Sequence, residues 1–510
     1  MPQHVRERKG SFFTPKIWVE KSQEYLEKVF GADWQDEYYI WDCCCGTGNL
    51  LAGLVNPDNI WASTLDQPDV DIVHTNIDEG FNLLKPHVFQ FDFLSDEFMP
   101  QSKGGKIPDA LYKILSHPEK QKKLIIYINP PYAEATSAKT VTGTGQNKAG
   151  VATGYRINNE LKPLIGKATN ELSALFFGRI YRDMQGCQLA TFSKLAFVCN
   201  QNYTQFRRFF RAKFNSGFII QANTFDNVNG QFLIGFTVWD TAVKKTITQI
   251  KVDVMGNDRN LMNAWKAGTK RFFAAKGNSI NVWLSVMKGS TVSPIGFLSN
   301  YPPDFQNQKQ VRIQNKGMTR SGAVLLGENN LVSISIYFAV RHCIGHHWTN
   351  DRDQFLCPND GYKKDKRFQN DCLMFTLFHH QNRITTQDGI NHWLPFTRKD
   401  VKAKDSFVSD FMYRFVNERG KFGKEAEAVF AAGKDLWTYY HATIKDDDNA
   451  DVNASLYDIR AYFKGRKNGR VNSKSSDEKF TELDKALKTS LSALAEQIQP
   501  KVYEYGFLLK

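Results

Sequence analysis

The stretch Lys123-Leu124-Ile125-Ile126-Tyr127-Ile128-Asn129-Pro130-Pro131-Tyr132 decides how this chain is to be read. A short apolar run that ends abruptly in a polar residue and two prolines is a buried strand followed by a rigid turn. Proline fixes its own φ and holds the residue before it extended. The Asn129 amide and the Pro130 carbonyl can then point at one spot as two hydrogen-bond acceptors, with the Tyr132 ring beside them as a flat apolar face. The plainer alternative is a Pro-Pro turn after a core strand.

On either side of this strand, apolar runs alternate with helical patterns. Candidate strands fall at 38–44, 60–65, 88–93, 124–128, 188–198, 218–224 and 232–239, and helical patterns at 15–30, 49–54 and 170–184. Such alternation predicts a doubly wound, Rossmann-like α/β sheet. In these sheets the ligand crevice lies at the carboxyl ends of the strands, so the strand ends are the residues to inspect.

The first strand runs into Asp42-Cys43-Cys44-Cys45-Gly46-Thr47-Gly48-Asn49. Small residues at such a turn let a ligand approach the backbone closely, although a lone Gly-x-Gly also fits other nucleotide ligands. The second strand ends in Asp66, an acid placed to accept from ribose hydroxyls or simply to cap the next turn. The third gives Phe91-Asp92-Phe93, a carboxylate between aromatic rings, able to hold an adenine amino group beside them.

Length, charge and cysteine usage set the frame. A chain of 510 residues exceeds one typical core and predicts two or three domains. Lys and Arg total 66 against 53 acids, a formal net charge of +13, which suits a polyanionic partner or else a solvated basic surface. The 13% aromatic share fills a large core or supplies base-stacking faces. No apolar run of about 18 residues is present, so no membrane span is expected. Residues 1–9 lack the apolar stretch of a signal peptide. Eight scattered Cys, three of them adjacent, make no disulfide framework; reduced thiols in a cytoplasm are expected.

The segment 133–169 interrupts the alternation, is rich in Gly, Thr, Lys and Ala, and follows the strand end at Asn129; a mobile active-site loop is expected there. Residues 1–240 are expected to form one domain. Residues 246–254 alternate like a strand, and the chain to about 400 mixes short strands with Gly, Pro and Asn turns, predicting a second, mixed α+β domain over 241–400. From 401 to 510 the pattern is helical, as at 425–440 and 477–502, with a basic, flexible stretch at 461–479 that is either a linker or a phosphate contact. His342, Cys343, His346, His347, Cys357, Cys372, His379 and His380 crowd one region, but no CxxC pair sets a zinc spacing, and no metal site is expected.

Taken in order, these motifs resemble the amino-group DNA methyltransferases of the adenine-N6 type found in restriction-modification systems, with the cofactor motifs first, the catalytic tetrapeptide next and target recognition last. Residues 42–48 resemble that family's cofactor loop, and Asn129-Pro130-Pro131-Tyr132 its catalytic tetrapeptide. Gly10-Ser11-Phe12-Phe13-Thr14-Pro15 resembles the N-terminal motif that folds back on the methionine part of the cofactor. The resemblance implies S-adenosyl-L-methionine as cofactor, held by Thr14, Pro15, Asp42, Cys45, Gly46, Gly48, Asp66, Asp92, Asn129 and Phe176. It implies catalysis by Asn129, Pro130 and Tyr132, and stacking of a flipped target base by Tyr132 and Phe225, with Phe232 as the alternative. It covers residues 10 to about 240. The departures are the triple Cys at 43–45, where Pro or Ala would be commoner, and the long 133–169 insert.

The resemblance further implies methylation of adenine N6 in double-stranded DNA, with a target-recognition domain over 241–400 and a helical DNA-contacting region over 401–510. Enzymes that methylate a protein glutamine amide share the tetrapeptide and stay open as an alternative, as do RNA or cytosine N4 as acceptor and a non-catalytic DNA-binding subunit. No nuclease motif is apparent, and the motifs begin at residue 10, so a cognate endonuclease or a specificity subunit would be a separate chain.

Overall fold

The computed structural model describes residues 13–132, 155–225, 232–286, 294–316, 323–447 and 450–510. They divide into two compact units, Met1–Ala275 with His347–Arg352, and Lys276–His346 with Asp353–Lys510.

The first unit is built on a nine-stranded sheet: β1 (Tyr39–Asp42), β2 (Ile60–Thr64), β3 (Val88–Gln90), β4 (Leu124–Ile128), β5 (Gln188–Ser193), β6 (Ala212–Gln221), β7 (Leu233–Lys244), β8 (Gln249–Asn257) and β9 (Ala264–Phe273), in the order β3-β2-β1-β4-β5-β7-β6-β8-β9. β3, β2, β1, β4 and β5 pair in parallel, β7 runs antiparallel between β5 and β6, β8 is parallel to β6, and β9 closes the edge antiparallel to β8. β4 shows why the apolar run forms a central strand. All five of its residues are fully buried, and they alternate between two cores: Leu124, Ile126 and Ile128 enter one, Ile125 and Tyr127 the other. A sheet covered on both faces needs apolar residues at every position.

Helices cover both faces, among them α1 (Lys16–Phe30), α2 (Gln67–Asp78), α3 (Arg156–Ile165) and α4 (Leu172–Asp183). α1 is tied to the sheet at three levels. Trp18 Nε1 donates to Thr224 Oγ1 at 2.9 Å, the Ser22 and Tyr127 hydroxyls share a hydrogen bond, and the Tyr25 phenol donates to Asp253 at 2.6 Å.

Several expectations are corrected. The segment after Asn49 is a single 3-10 turn, Asn49–Leu51. β5 stops at Ser193: Leu195 takes a left-handed backbone (φ 54°), and a short helix, Ala196–Cys199, follows. The loop expected over 133–169 does not hold for its second half. Residues 133–154 lie outside the described residues, but α3 and a 3-10 turn, Gly166–Asn170, occupy its second half. Ile157, Leu161 and Ile165 form a fully buried i, i+4, i+8 stripe, and the Leu161 side chain lies only 2.8 Å from where a Cβ on Gly178 would sit, so glycine there admits α3 against α4. The first unit also continues past 240. β8 and β9 extend its sheet, and Ile250, Val252 and Phe272 share a core with Trp239.

The second unit has its own core. It carries a three-stranded sheet, β10 (Gly296–Ser299), β11 (Arg312–Gln314) and β12 (Ala323–Leu326), in the order β11-β10-β12. α5 (Leu331–His342), α6 (Lys366–Phe378), α7 (Lys424–Thr443) and α8 (Glu478–Glu504) pack against one another in the same core. The last two match the helical reading of the C-terminal part. α5 and α6 replace expected strands and turns. Both are buried nearly all round, α5 mainly by apolar side chains and α6 with Gln369, Asn370, Asp371 and Thr376 buried among apolar ones, so no amphipathic period marks them. The basic stretch at 461–479 holds the end of a helix, Leu456–Lys464, a two-residue hairpin (Arg466–Lys467 with Arg470–Val471) and the start of α8. His342, His379 and His380 lie ring against ring, tilted, with centres 4.7 and 4.2 Å apart. Burial pushes His342 down to about 3, leaving a neutral ring whose Nε2 bonds the Val311 carbonyl. Among the described residues no group of three or more His, Cys, Asp or Glu is arranged to hold a metal, and no helix is long and apolar enough to cross a membrane.

Candidate active site

Strand order reverses between β1 and β4: β2 and β3 lie to one side of β1, while β4 and its successors lie to the other. At such a switch point the loops leaving the carboxyl ends diverge and leave a crevice. A cavity of about 270 Å³ lies there. Of the residues expected to hold a cofactor, Thr14, Asp42, Cys45, Gly46, Asp66, Asp92, Asn129 and Phe176 line it together. Pro15, Gly48, Pro130, Tyr132 and Phe225 do not line it. Pro15 precedes α1, and its carbonyl accepts from the Trp18 and Val19 amides.

The floor is the turn after β1. Gly46 (φ 53°) and Gly48 (φ 85°) take left-handed conformations that favour glycine. The Gly48 amide donates to the Cys45 carbonyl at 2.9 Å, closing the turn, and the Cys45 amide bonds the Ser63 carbonyl of β2 at 2.9 Å. Asp42 is almost wholly buried and accepts from the Cys44 amide at 3.0 Å. Burial raises its carboxyl to about 7, and the Cys44 amide offsets only part of that. Burial likewise raises the Cys43, Cys44 and Cys45 thiols, so all three stay protonated. They supply small, weakly polar surface and no nucleophile.

One wall carries Asp66, which precedes the first turn of α2, and Asp69 inside that turn. The other is the segment after β3. Asp92 Oδ1 accepts from the Leu94 amide at 2.9 Å, and its own amide donates to Asp96 Oδ2 at 2.8 Å. Phe93 stacks on Phe176 of α4, with ring centres 5.1 Å apart and planes 12° apart.

Arg179, one turn beyond Phe176 on α4, locks this wall. Its guanidinium donates to the Phe93 and Asp96 carbonyls, pairs with Asp183 at 3.4 Å and lies over the Phe98 ring at 4.2 Å. Sequence reading passed over this residue. Its one signal was a cation inside an otherwise apolar helical stripe, Leu172–Arg179, where a buried charge must find partners. Phe13 and Leu172, from the N-terminal and helical motifs, also line the cavity, as do Leu65, Asp69, Ile72 and Tyr155, which carried no local motif.

At the end of β4, Asn129 is fixed from two sides. Its Nδ2 donates to Thr14 Oγ1 at 2.9 Å, and its Oδ1 accepts the Tyr132 phenol at 2.6 Å. Tyr132 is buried in the same core as Tyr127 and Phe225. Burial raises its phenol far above the usual range, so it stays protonated as the donor. Lys194, at the end of β5, donates to the Tyr132 carbonyl at 2.9 Å. Phe225 packs into that core with its ring 6.2 Å from Phe192, while residues 226–231 and 10–12 of the expected motifs lie outside the described residues.

No protein-family model matches the chain, and no curated protein matches it. Among solved structures, the chain is similar to DrdV in a complex with DNA at 15% identity and a TM-score of 0.37, over 49% of this chain and 28% of that one. It is also similar to a modification subunit of a putative type I restriction enzyme from Vibrio vulnificus YJ016, at 13% identity and a TM-score of 0.31, over 50% of each chain. A third is a putative class I S-adenosylmethionine-dependent methyltransferase from Listeria monocytogenes, at 13% identity and a TM-score of 0.29, over 49% of this chain and 68% of that one. The chain thus spans about a quarter and a half of the first two. The resemblance is partial, and the cavity's own residues carry the functional reading.

Proposed function

We propose that the first unit is an S-adenosyl-L-methionine-dependent methyltransferase acting on the exocyclic amino group of adenine in double-stranded DNA. The observation that carries the reading is the convergence of Asp42, Asp66, Asp92, Phe176 and Asn129 on one cavity at the sheet's switch point.

The donor set suits that cofactor part by part. Asp66 and Asp69 stand where ribose hydroxyls would find acceptors, and the Phe93–Phe176 wall beside Asp92 offers apolar faces and a carboxylate to an adenine ring. Asp42, held near neutrality by burial, would ionise beside a cationic group and return part of its desolvation cost. Bound there, the cofactor supplies an electrophilic methyl group on a sulfonium.

The chain's part is to bind and orient the acceptor nitrogen. The adenine amino lone pair is delocalised into the ring and is a weak nucleophile. Asn129 Oδ1 and the Pro130 carbonyl would accept its two N–H groups, concentrating negative charge on nitrogen and favouring tetrahedral geometry. An amide oxygen has two lone pairs, so accepting the Tyr132 phenol is compatible with accepting a substrate N–H. The tie to Thr14 on the other side then holds the amide plane against rotation. Reaching the cavity requires the base to leave the duplex, at a cost of a few kcal/mol. Tyr132 and Phe225 would stack on it only after moving out of the core they occupy here. The second unit would supply target recognition and further DNA contact, acting with or without a separate specificity subunit or endonuclease.

The test is incubation of the purified chain with tritiated cofactor and DNA, followed by nucleoside analysis. N6-methyladenine is expected; label in protein, RNA or N4-methylcytosine selects an alternative. Asn129→Ala should abolish transfer with cofactor binding nearly intact. Activity within about tenfold of wild type, a barrier change of about 1.4 kcal/mol, overturns the assignment.

A further inference from the structure

The β8–β9 hairpin stands apart from the site, yet the sheet aims it at whatever the site holds. β8 runs in the same direction as β4, so its carboxyl end leaves the sheet along the catalytic edge. Following the register across the strands, Ile128 lies level with Thr191, Thr237 and Gly217, and the neighbouring Phe218 pairs with Asp253. Residues 254–257 and the turn at 258–263 therefore project beyond the level of Asn129, by about 13 Å before the turn begins. Four strand spacings separate β4 from β8, which places the arm about 19 Å to the side of Asn129.

The chemistry of the arm is lopsided. Residues 249–273 carry Lys251, Arg259, Lys266, Lys270 and Arg271 against Asp253 and Asp258. Both carboxylates are engaged. Asp253 accepts Tyr25 and pairs with Lys266 at 2.8 Å. Asp258 builds the turn, accepting the Met262 amide and the Asn263 side chain at 2.9 Å each. Lys251, Arg259 and Arg271 are exposed and have no carboxylate partner among the described residues. Lys251 and Arg271 are also direct cross-strand partners on the same face, an arrangement that costs energy in water until an anion bridges it. Near the tip, Met262 is 77% exposed and Trp265 51% exposed. Gly256 leaves room for the Trp265 indole to lie across the hairpin, since a Cβ there would sit 2.8 Å from the ring. A hairpin with one unpaired cation in its projecting turn, an exposed indole beside that turn and a pair of unpaired cations at its base, one residue short of the level of Ile128, fits a phosphodiester backbone running along it.

We infer that the β8–β9 hairpin is a second nucleic-acid contact, gripping the phosphodiester backbone of duplex DNA about six base pairs from the reacting nucleotide, at 3.4 Å per phosphate along a strand. The inference rests on the DNA reading proposed above and adds to it a docking element within the first unit itself.

The test compares the full chain with the triple variant Lys251→Gln, Arg259→Gln, Arg271→Gln, by fluorescence anisotropy on a duplex over a range of salt concentrations. None of the three touches the cavity, and removing a like-charge pair leaves the fold intact. Each phosphate contact contributes about 0.9 to the slope of log affinity against log salt, so the slope should fall by about 2.7. Affinity for S-adenosyl-L-methionine should not change. Trimming the duplex to fewer than about six base pairs on either side of the target should remove the difference between wild type and variant on one side only. Wild type that binds DNA with a slope equal to the variant's overturns the hairpin contact and leaves the methyltransferase reading standing. Wild type that binds no duplex overturns the hairpin contact and, with it, duplex DNA as the substrate of this chain acting alone.

Discussion

The Tyr132 phenol donates to Asn129 Oδ1 at 2.6 Å. The tyrosine of the tetrapeptide thus lies back against the core and fixes the amide that its own sequence neighbourhood presents. In this arrangement it is first a positioning residue. The ring would become a stacking surface only on moving toward a bound base.

Tyr132→Phe separates these two roles. It keeps the ring and removes one hydrogen bond, about 0.5–1.5 kcal/mol. A fall in kcat of about two- to tenfold is expected, with cofactor affinity unchanged. Single-turnover kinetics and cofactor titration check this; a kcat equal to wild type would show that the phenol does not hold the amide in the working state.

Arg179 is expected to govern the cofactor wall without touching a ligand. Arg179→Met leaves the buried Phe93 carbonyl and the part-buried Asp96 carbonyl without their donor, at about 1–3 kcal/mol for the buried one. Cofactor affinity should weaken by at least about tenfold, and Arg179→Lys should lie between, because one ammonium cannot reproduce the planar fork. Calorimetric titration of variants that still unfold cooperatively is the measurement. Wild-type affinity in folded Arg179→Met would remove the role.

Asp42 sets a pH dependence. Its carboxyl stands at about 7 in the folded chain against an ordinary value of 3.8. The folded state therefore holds the extra proton between roughly pH 4 and 7, and this group's contribution to stability declines as pH rises through that window. A cationic cofactor favours the carboxylate, so its affinity should rise with pH up to about 7 and then level off, with proton release on binding below 7. Asp42→Asn should flatten the profile. A flat profile in the unaltered chain would mean that Asp42 is not the group facing the charge.

In the second unit, Asp484 is buried and accepts Arg460 at 3.0 Å, Lys464 at 3.1 Å and Lys488 at 2.7 Å. Burial alone would raise its carboxyl, but the three cations hold it well below the carboxylate range. Asp484→Asn should destabilise the unit by about 3–5 kcal/mol, because it strands buried positive charge. Denaturant unfolding with an unchanged m-value checks this; a loss under about 1 kcal/mol would show the cations to be solvated without it.

The boundary between what was legible and what was not tracks the range of the interactions. The unbroken apolar run Leu124–Ile128, the glycines at 46 and 48 and the prolines at 130 and 131 impose their geometry on adjacent residues, so the sequence by itself determined the buried central strand, the turn after β1 and the rigid end of β4. It also marked the strand-end acids, because a doubly wound sheet brings strand ends together wherever its helices are placed. Burial and long-range pairing lay beyond it. Nothing local shows that Tyr132 lies against the core, that Arg179 reaches back to the Phe93 and Asp96 carbonyls, or that burial raises Asp42. Likewise α5 and α6 have no period because they have almost no exposed face, and β8 and β9 join the first unit through pairing with β6, shared burial with Trp239 and the Tyr25–Asp253 hydrogen bond. The tertiary structure decided these points because a side chain's partners and its desolvation depend on residues that the chain brings near it only on folding.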